Sequence, residues 1–283
     1  MLFNRLSNNL SNFKSLEFIL GIFLTGSICL LVLFSDFIFQ GADKINLSAR
    51  LLEPFSNPEY LLGTDPLGRD IMARVVAGGK ISLQVGFLSV AGAVVLGVIM
   101  GLVSGYYRGF WDVIVMRFAD VQLAMPFILL AITFIAIIGG GLTNMIILLI
   151  VSQWVQYARL VRGSVLSLRD REFIQSAEAI GVSDFNILFR HLLPNLIGPV
   201  IVLVTLNVAN NILLESSLTF LGLGVDPLTP SWGGMLADGR TYIQTAWWVS
   251  VFPGLAILLT VLGLNLLGDW LRDSLDPTGR TTK

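Results

Sequence analysis

DREFIQSAEAIGVSDFNILFRHLLPN, residues 170–195, is the longest polar, helix-patterned interruption in the apolar last two thirds of a 283-residue chain. Apolar residues recur at Phe173, Ala177 and Ile180, then at Phe185, Leu188, Phe189 and Leu192. Each set fits one face of a helix. Gly181 stands between them, where a helix end favours a left-handed residue. Ser183 offers an N-cap oxygen, and Pro194 signals a stop. The spacing predicts two short amphipathic helices joined at a bend and flanked by membrane spans. Such an element needs an apolar partner, which is the chain's own core, the bilayer surface or another subunit.

The surrounding composition is that of a polytopic membrane protein. Hydrophobic residues make up 54% of the chain and charged residues 13%, against about 25% charged in soluble domains. Six apolar stretches have spanning length: about 17–39, 81–107, 113–138, 142–157, 196–221 and 245–271. The first is too long for a signal-peptide core and is read as a retained span. Pro126 lies inside the third. The fourth helix is expected to continue outward through Arg159 and Arg162. Pro253 and Gly254 are expected to kink the sixth, which opens on the interfacial pair Trp247 and Trp248. The chain therefore divides into 1–80 (first span and a mixed loop), a five-helix core at 81–273 containing the 170–195 insert, and a tail at 274–283.

Basic residues orient the bundle. With the N-terminus inside, twelve fall on the cytoplasmic side: Arg5, Lys14, Arg108, Arg117, Arg159, Arg162, Arg169, Arg171, Arg190, Arg272, Arg280 and Lys283. Six fall outside: Lys44, Arg50, Arg69, Arg74, Lys80 and Arg240. Both termini and the 170–195 insert are then cytoplasmic, which favours a cytosolic protein as the insert's partner.

The net charge of −1 argues against a nucleic-acid partner. One cysteine, Cys29, and one histidine, His191, leave no basis for a disulfide, a metal cluster or thiol chemistry. Gly79-Lys80 resembles the end of a phosphate loop, but Arg74 and Ile81 break the pattern. No nucleophile triad or HExxH is present. The chain is read as a non-enzyme without a cofactor or metal of its own, so ATP-driven work would require another subunit. Gly97, Gly101 and Gly105 form a small-residue face suited to helix packing in a membrane. Arg117 and Asp120 are spaced as an i,i+3 anchor pair. Asn207, Asn211 and Glu215 form one polar stripe on the fifth span, facing the bundle interior or a water-filled cavity. They either line a translocation path or bond neighbouring helices. The Gly/Pro-rich loop 222–244 either meets a partner outside or forms a packed re-entrant connection.

The insert resembles the cytoplasmic loop of bacterial ABC importer permeases. Gly181, Leu193 and Pro194 match its Gly and Leu-Pro positions, while Gln175 and Ser176 stand where its Glu and first Ala would be. LGTDPLGRD at 62–70, followed by GGKISL, is similar to the segment before the second span in the dipeptide/oligopeptide/nickel group. MRFADVQLAMP at 116–126 is similar to that group's third-span entry. PSWGGMLADGRTYIQTAWW and FPGLAILLTVLGLNLLGDWLRDSLDP are similar to its C-terminal end. The resemblance is to the second, C-type permease of that group.

The resemblance implies an all-α, six-helix type I importer permease fold in the bacterial inner membrane. It implies a second homologous permease, two cytosolic ATPase subunits that use ATP and Mg, and an extracytoplasmic substrate-binding protein, with membrane lipid around the bundle. The cargo would be di- or oligopeptides, with nickel or another small solute as the alternative. The insert would be the coupling helix, docked through Glu172, Gln175, Ala179, Gly181, Asp184, Phe185, Leu188 and Phe189. An ion-gradient-driven transporter would show matched broken spans in two halves, and no such repeat is visible.

Overall fold

A backbone that crosses hydrocarbon must satisfy its own N–H and C=O groups, so the apolar runs become helices. The computed structural model describes residues 16–38, 42–226 and 228–275. The elements are α1 (Leu16–Leu33), α2 (Ser35–Ile38), a 3-10 turn (Leu47–Ala49), α3 (Ile71–Tyr107), α4 (Gly109–Leu123), α5 (Phe127–Ile138) and α6 (Leu142–Arg169). They continue with α7 (Glu172–Ala179), α8 (Asp184–Asn186), a π turn (Ile187–Leu192), α9 (Leu193–Phe220), α10 (Trp232–Gly239), a second 3-10 turn (Arg240–Tyr242) and α11 (Trp248–Leu275). Among the described residues the fold is all-α, with one isolated bridge between Thr64 and Asp70.

Five helices have spanning length: α1, α3, α6, α11 and the continuous run Asp184–Phe220. The third expected span is broken. α4 and α5 meet at Pro126 with a 95° bend, because proline removes a helix donor and disfavours helical backbone before it. The pair still completes a crossing. α3 ends where Tyr106 meets Asp184, whereas α6 begins at the opposite pole, where Gly141 N donates to Gly224 O at 3.1 Å. The six crossings bring both described ends of the chain to the Gly181 pole. Phe18 stacks on Trp270 with centroids 4.3 Å apart, and Leu275 reaches Gly198 near the start of α9.

Several boundaries differ from the sequence expectation. α3 begins at Ile71, so the division placed at residues 80 and 81 falls inside a helix. Its 37 residues extend about 55 Å, well beyond a hydrocarbon core of about 30 Å. Pro194 does not stop a helix. It sits in the first turn of α9, directly after the π turn, whose wider winding eases the clash between the proline ring and the preceding turn. The second short helix expected after Gly181 is therefore the beginning of the fifth crossing. α11 passes Pro253 as a single helix. Residues 1–15 and 276–283, including most of the expected tail, lie outside the described residues.

α3 and α6 pack along one another through the small-residue face. A Cβ at Gly97, Gly101 or Gly105 would stand 2.5–2.8 Å from Tyr157, Ala158 and Val165 of α6, so only glycine allows this approach. Arg162 clamps α4 onto α6 by a bidentate pair with Asp112 at 2.5 and 2.7 Å. Asp120 pairs with Arg159 of α6 at 2.6 Å, not with Arg117 as its i,i+3 spacing suggested.

At the other pole, LGTDPLGRD folds into a lock. Asp65 is fully buried. Its Oδ1 accepts from the Leu67 and Arg69 amides at 2.8 and 2.9 Å. Its Oδ2 accepts from Arg69 Nε at 2.5 Å and Arg74 Nη1 at 2.7 Å. Gly68 has φ +74, and a Cβ there would lie 1.7 Å from Asn46 O. Asp70 caps α3 by accepting from Met72 N at 2.9 Å. Trp248 Nε1 donates to Thr64 O at 3.1 Å, which joins the lock to α11. The loop 222–244 contains α10, whose Trp232 is buried and donates from Nε1 to Val75 O at 2.7 Å. The α10 part of the loop is thus packed against α3.

Candidate functional site

The 170–195 insert turns on Gly181. α7 closes with Val182 N donating to Ala177 O and Gly181 N to Glu178 O, each at 3.0 Å. This is the Schellman pattern, and its αL position is filled by Gly181 at φ +79. Val182 and Ala177 supply its apolar contact with the core. A Cβ at Gly181 would meet nothing within 4 Å, so the backbone angle alone requires glycine within this chain. Ser183 takes the N-cap position of the next helix with extended backbone, but its side chain makes no capping bond.

The apolar set expected on one face of α7 divides between the core and the outside. Ile174 and Ala177 are buried, while Phe173 and Ile180 point outward. Leu188, expected as a partner contact, is buried within this chain with Ile187 and Leu192. The large apolar side chains that remain outside are concentrated at the turn. Ile180 is 81% exposed and Phe185 67%, and the Phe185 and Phe189 rings stack with centroids 4.5 Å apart. Glu172, Gln175 and Ala179 are exposed on α7, with the Gln175 amide folded back to donate to Asp170 O at 3.3 Å. Sequence reasoning singled out Phe185 and Phe189 but missed Phe173 and Ile180 as outward residues, since periodicity fixes spacing and not phase.

The turn is tied to two crossings. Tyr106, near the end of α3, donates from Oη to Asp184 Oδ1 at 3.0 Å and lies 3.4 Å from Glu178 Oε1. Arg169, the last residue of α6, donates from Nη1 to Tyr106 O at 2.6 Å. Its guanidinium lies 5.3 Å from the centre of the Tyr106 ring, and its Nε is 4.0 Å from Glu178 Oε1.

The polar stripe of α9 is turned inward and bonds neighbouring helices. Asn207 donates to Tyr157 Oη at 2.9 Å. Asn211 accepts from Gln153 and donates to Ser89 Oγ at 2.6 Å. Glu215 accepts from Ser82 Oγ and Thr219 Oγ1, each at 2.9 Å. All three side chains are buried, and they join α9 to α3 and α6. The adjacent face of α9 instead opens on a cavity of about 350 Å³ lined by Gln122, Ser152, Gln156 and Asn210 beside the α4–α5 bend.

Residues 93–280 match a family described as the binding-protein-dependent transport system inner membrane component. The chain belongs to this family. It is 44% identical over 92% of its length to the dipeptide transport system permease protein DppC of Alkalihalophilus pseudofirmus, covering 85% of that protein. It is 48% identical over 77% of its length to the glutathione transport system permease protein GsiD of Escherichia coli O157:H7, covering 72% of that protein. Its fold matches the MetNI methionine ABC transporter in an inward facing conformation, with TM-score 0.57 and 19% identity, over 73% of this chain and 98% of that one.

This permease is thus a multi-pass inner-membrane subunit of an ATP-driven importer. It is a membrane pathway subunit and not an enzyme, and its family has no cofactor of its own. Importers of this kind generally combine permeases with ATPase subunits and a substrate-binding protein.

Proposed function

We propose that this permease is the C-type subunit of an importer for di- or oligopeptides, paired with a second related permease. Two cytosolic ATPase subunits, which bind ATP and Mg, dock on it, and an extracytoplasmic binding protein delivers cargo. The Gly181 pole faces the cytosol, as the distribution of basic residues indicates. The peptide cargo is supported by the dipeptide and glutathione permeases among the relatives.

The observation that carries the coupling role is the exposed apolar tip at Gly181. Ile180 and Phe185 stand outward among Glu172, Glu178 and Asp184, an arrangement suited to an apolar groove with a polar rim. Phe173, Phe189, Gln175 and Ala179 complete the docking face. The carboxylate that the family loop carries at position 175 is replaced here by an amide, so docking rests on shape and apolar contact. ATP-driven closure of the ATPase pair moves this face as a rigid body. The translocation surface is the face carrying Gln122, Ser152, Gln156 and Asn210, next to the buried stripe.

The whole importer in proteoliposomes, offered labelled dialanine, glutathione and nickel, tests the reading. Uptake of the peptides but not nickel is expected, and uptake of nickel alone overturns the peptide assignment. In the same complex, Ile180→Cys should form a disulfide with a cysteine placed in the ATPase groove. Absence of any cross-link there removes the docking role.

A further inference from the structure

We propose that Tyr106 and Arg169 form a polar strut that carries movement of the docking turn into the α3–α6 pair, and that Tyr106 is a positioning residue for coupling. The proposal rests on the docking role of the Gly181 turn. The Tyr106 hydroxyl touches both sides of that turn, Asp184 after it at 3.0 Å and Glu178 before it at 3.4 Å. A hydroxyl has one proton to donate, so two acceptors at these distances allow the bond to pass from one carboxylate to the other as the turn tilts.

Arg169 holds the tyrosine from the opposite side. It bonds the Tyr106 carbonyl at 2.6 Å, faces the ring at 5.3 Å and approaches Glu178 at 4.0 Å. Both residues stand at helix ends, Tyr106 on α3 and Arg169 on α6. These are the two helices that glycine packing fuses through Gly97, Gly101 and Gly105. A push on the turn therefore reaches two crossings at once. One cation beside two carboxylates leaves the cluster with excess negative charge, which favours a donating hydroxyl over a second acceptor at position 106. Tyr106 is 5% exposed, so the tyrosine lies beneath the docking face and is not itself a contact for the ATPase.

The test uses the whole importer in proteoliposomes, with ATP hydrolysis and uptake of labelled dialanine and glutathione measured together. Tyr106→Phe keeps the ring and removes only the hydroxyl. Uptake per ATP is expected to fall about 3- to 10-fold, with hydrolysis and co-purification of the ATPase subunits unchanged. Arg169→Ala should reproduce the Tyr106→Phe effect. An unchanged ratio in Tyr106→Phe overturns the strut, as does a fall in hydrolysis and uptake in parallel with loss of the ATPase subunits. A missing Ile180→Cys cross-link in the complex that keeps Tyr106 and Arg169 marks failure of the docking role instead, and is read independently of the ratio.

Discussion

The two poles of this permease use the same device, a glycine in left-handed backbone, for opposite ends. At the Asp65 pole, Gly68 is enclosed. Its missing Cβ is occupied by the Asn46 carbonyl, and the neighbouring charges of Asp65, Arg69 and Arg74 are buried and paired with one another. At the other pole, Gly181 is open, its neighbours Ile180 and Phe185 are exposed, and its ion pairs lie at the surface. One pole is finished within the chain. The other is complete as a turn but unfinished as a surface, as expected of a part that meets another subunit.

The strongest way to break this contrast is Asp65→Ala. It removes the buried acceptor of Arg69 and Arg74 and leaves them only the half-exposed Asp238 carboxylate at 3.4–3.5 Å, and the expected cost is about 3 kcal/mol. Thermal unfolding of the solubilised permease should show it, and a loss near zero would mean that the lock contributes no stability. Gly68→Ala comes next. Positive φ and the clash with Asn46 O together should cost about 3 kcal/mol in the same assay. Gly181→Ala should cost only about 1–2 kcal/mol, since φ strain acts alone; if the proposed docking holds, uptake should fall by more than the stability loss explains. Equal stability losses at Gly68 and Gly181 would erase the distinction between the poles. Arg108→Ala breaks the exposed pair with Asp170, 3.2 Å long, and should cost at most about 1 kcal/mol, with high salt giving the same shift in the unaltered protein.

The crossings were legible because hydrophobic length is a one-dimensional signal, and Pro126 marked where one of them breaks. The start of α3 was not. Arg74 and Lys80 end the apolar run in sequence, and only the fold supplies Asp65 as the partner that lets Arg74 be buried in a helix. The phase of α7 was likewise hidden. Phe173 and Ile174 are adjacent apolar residues, and which of them faces inward depends on Tyr106 and the α6 end against which the helix lies. The stripe Asn207, Asn211 and Glu215 was read correctly as inward-facing. Its choice between lining and bonding rested on Ser82, Ser89, Gln153 and Tyr157, which no local pattern connects to it. At the docking turn, Gly181 could be read from spacing, but the inward position of Leu188 could not.

The π turn at Ile187–Leu192 has a consequence for the azimuth of everything after it. A π turn holds one residue more than the α turn it replaces, and one residue corresponds to about 100° of rotation about a helix axis. It therefore indexes the inward stripe of α9 against the outward Phe185–Phe189 pair at its base. Deleting a single residue here would let the segment relax to regular winding and turn Asn207, Asn211 and Glu215 away from α3 and α6, with no residue of either site altered.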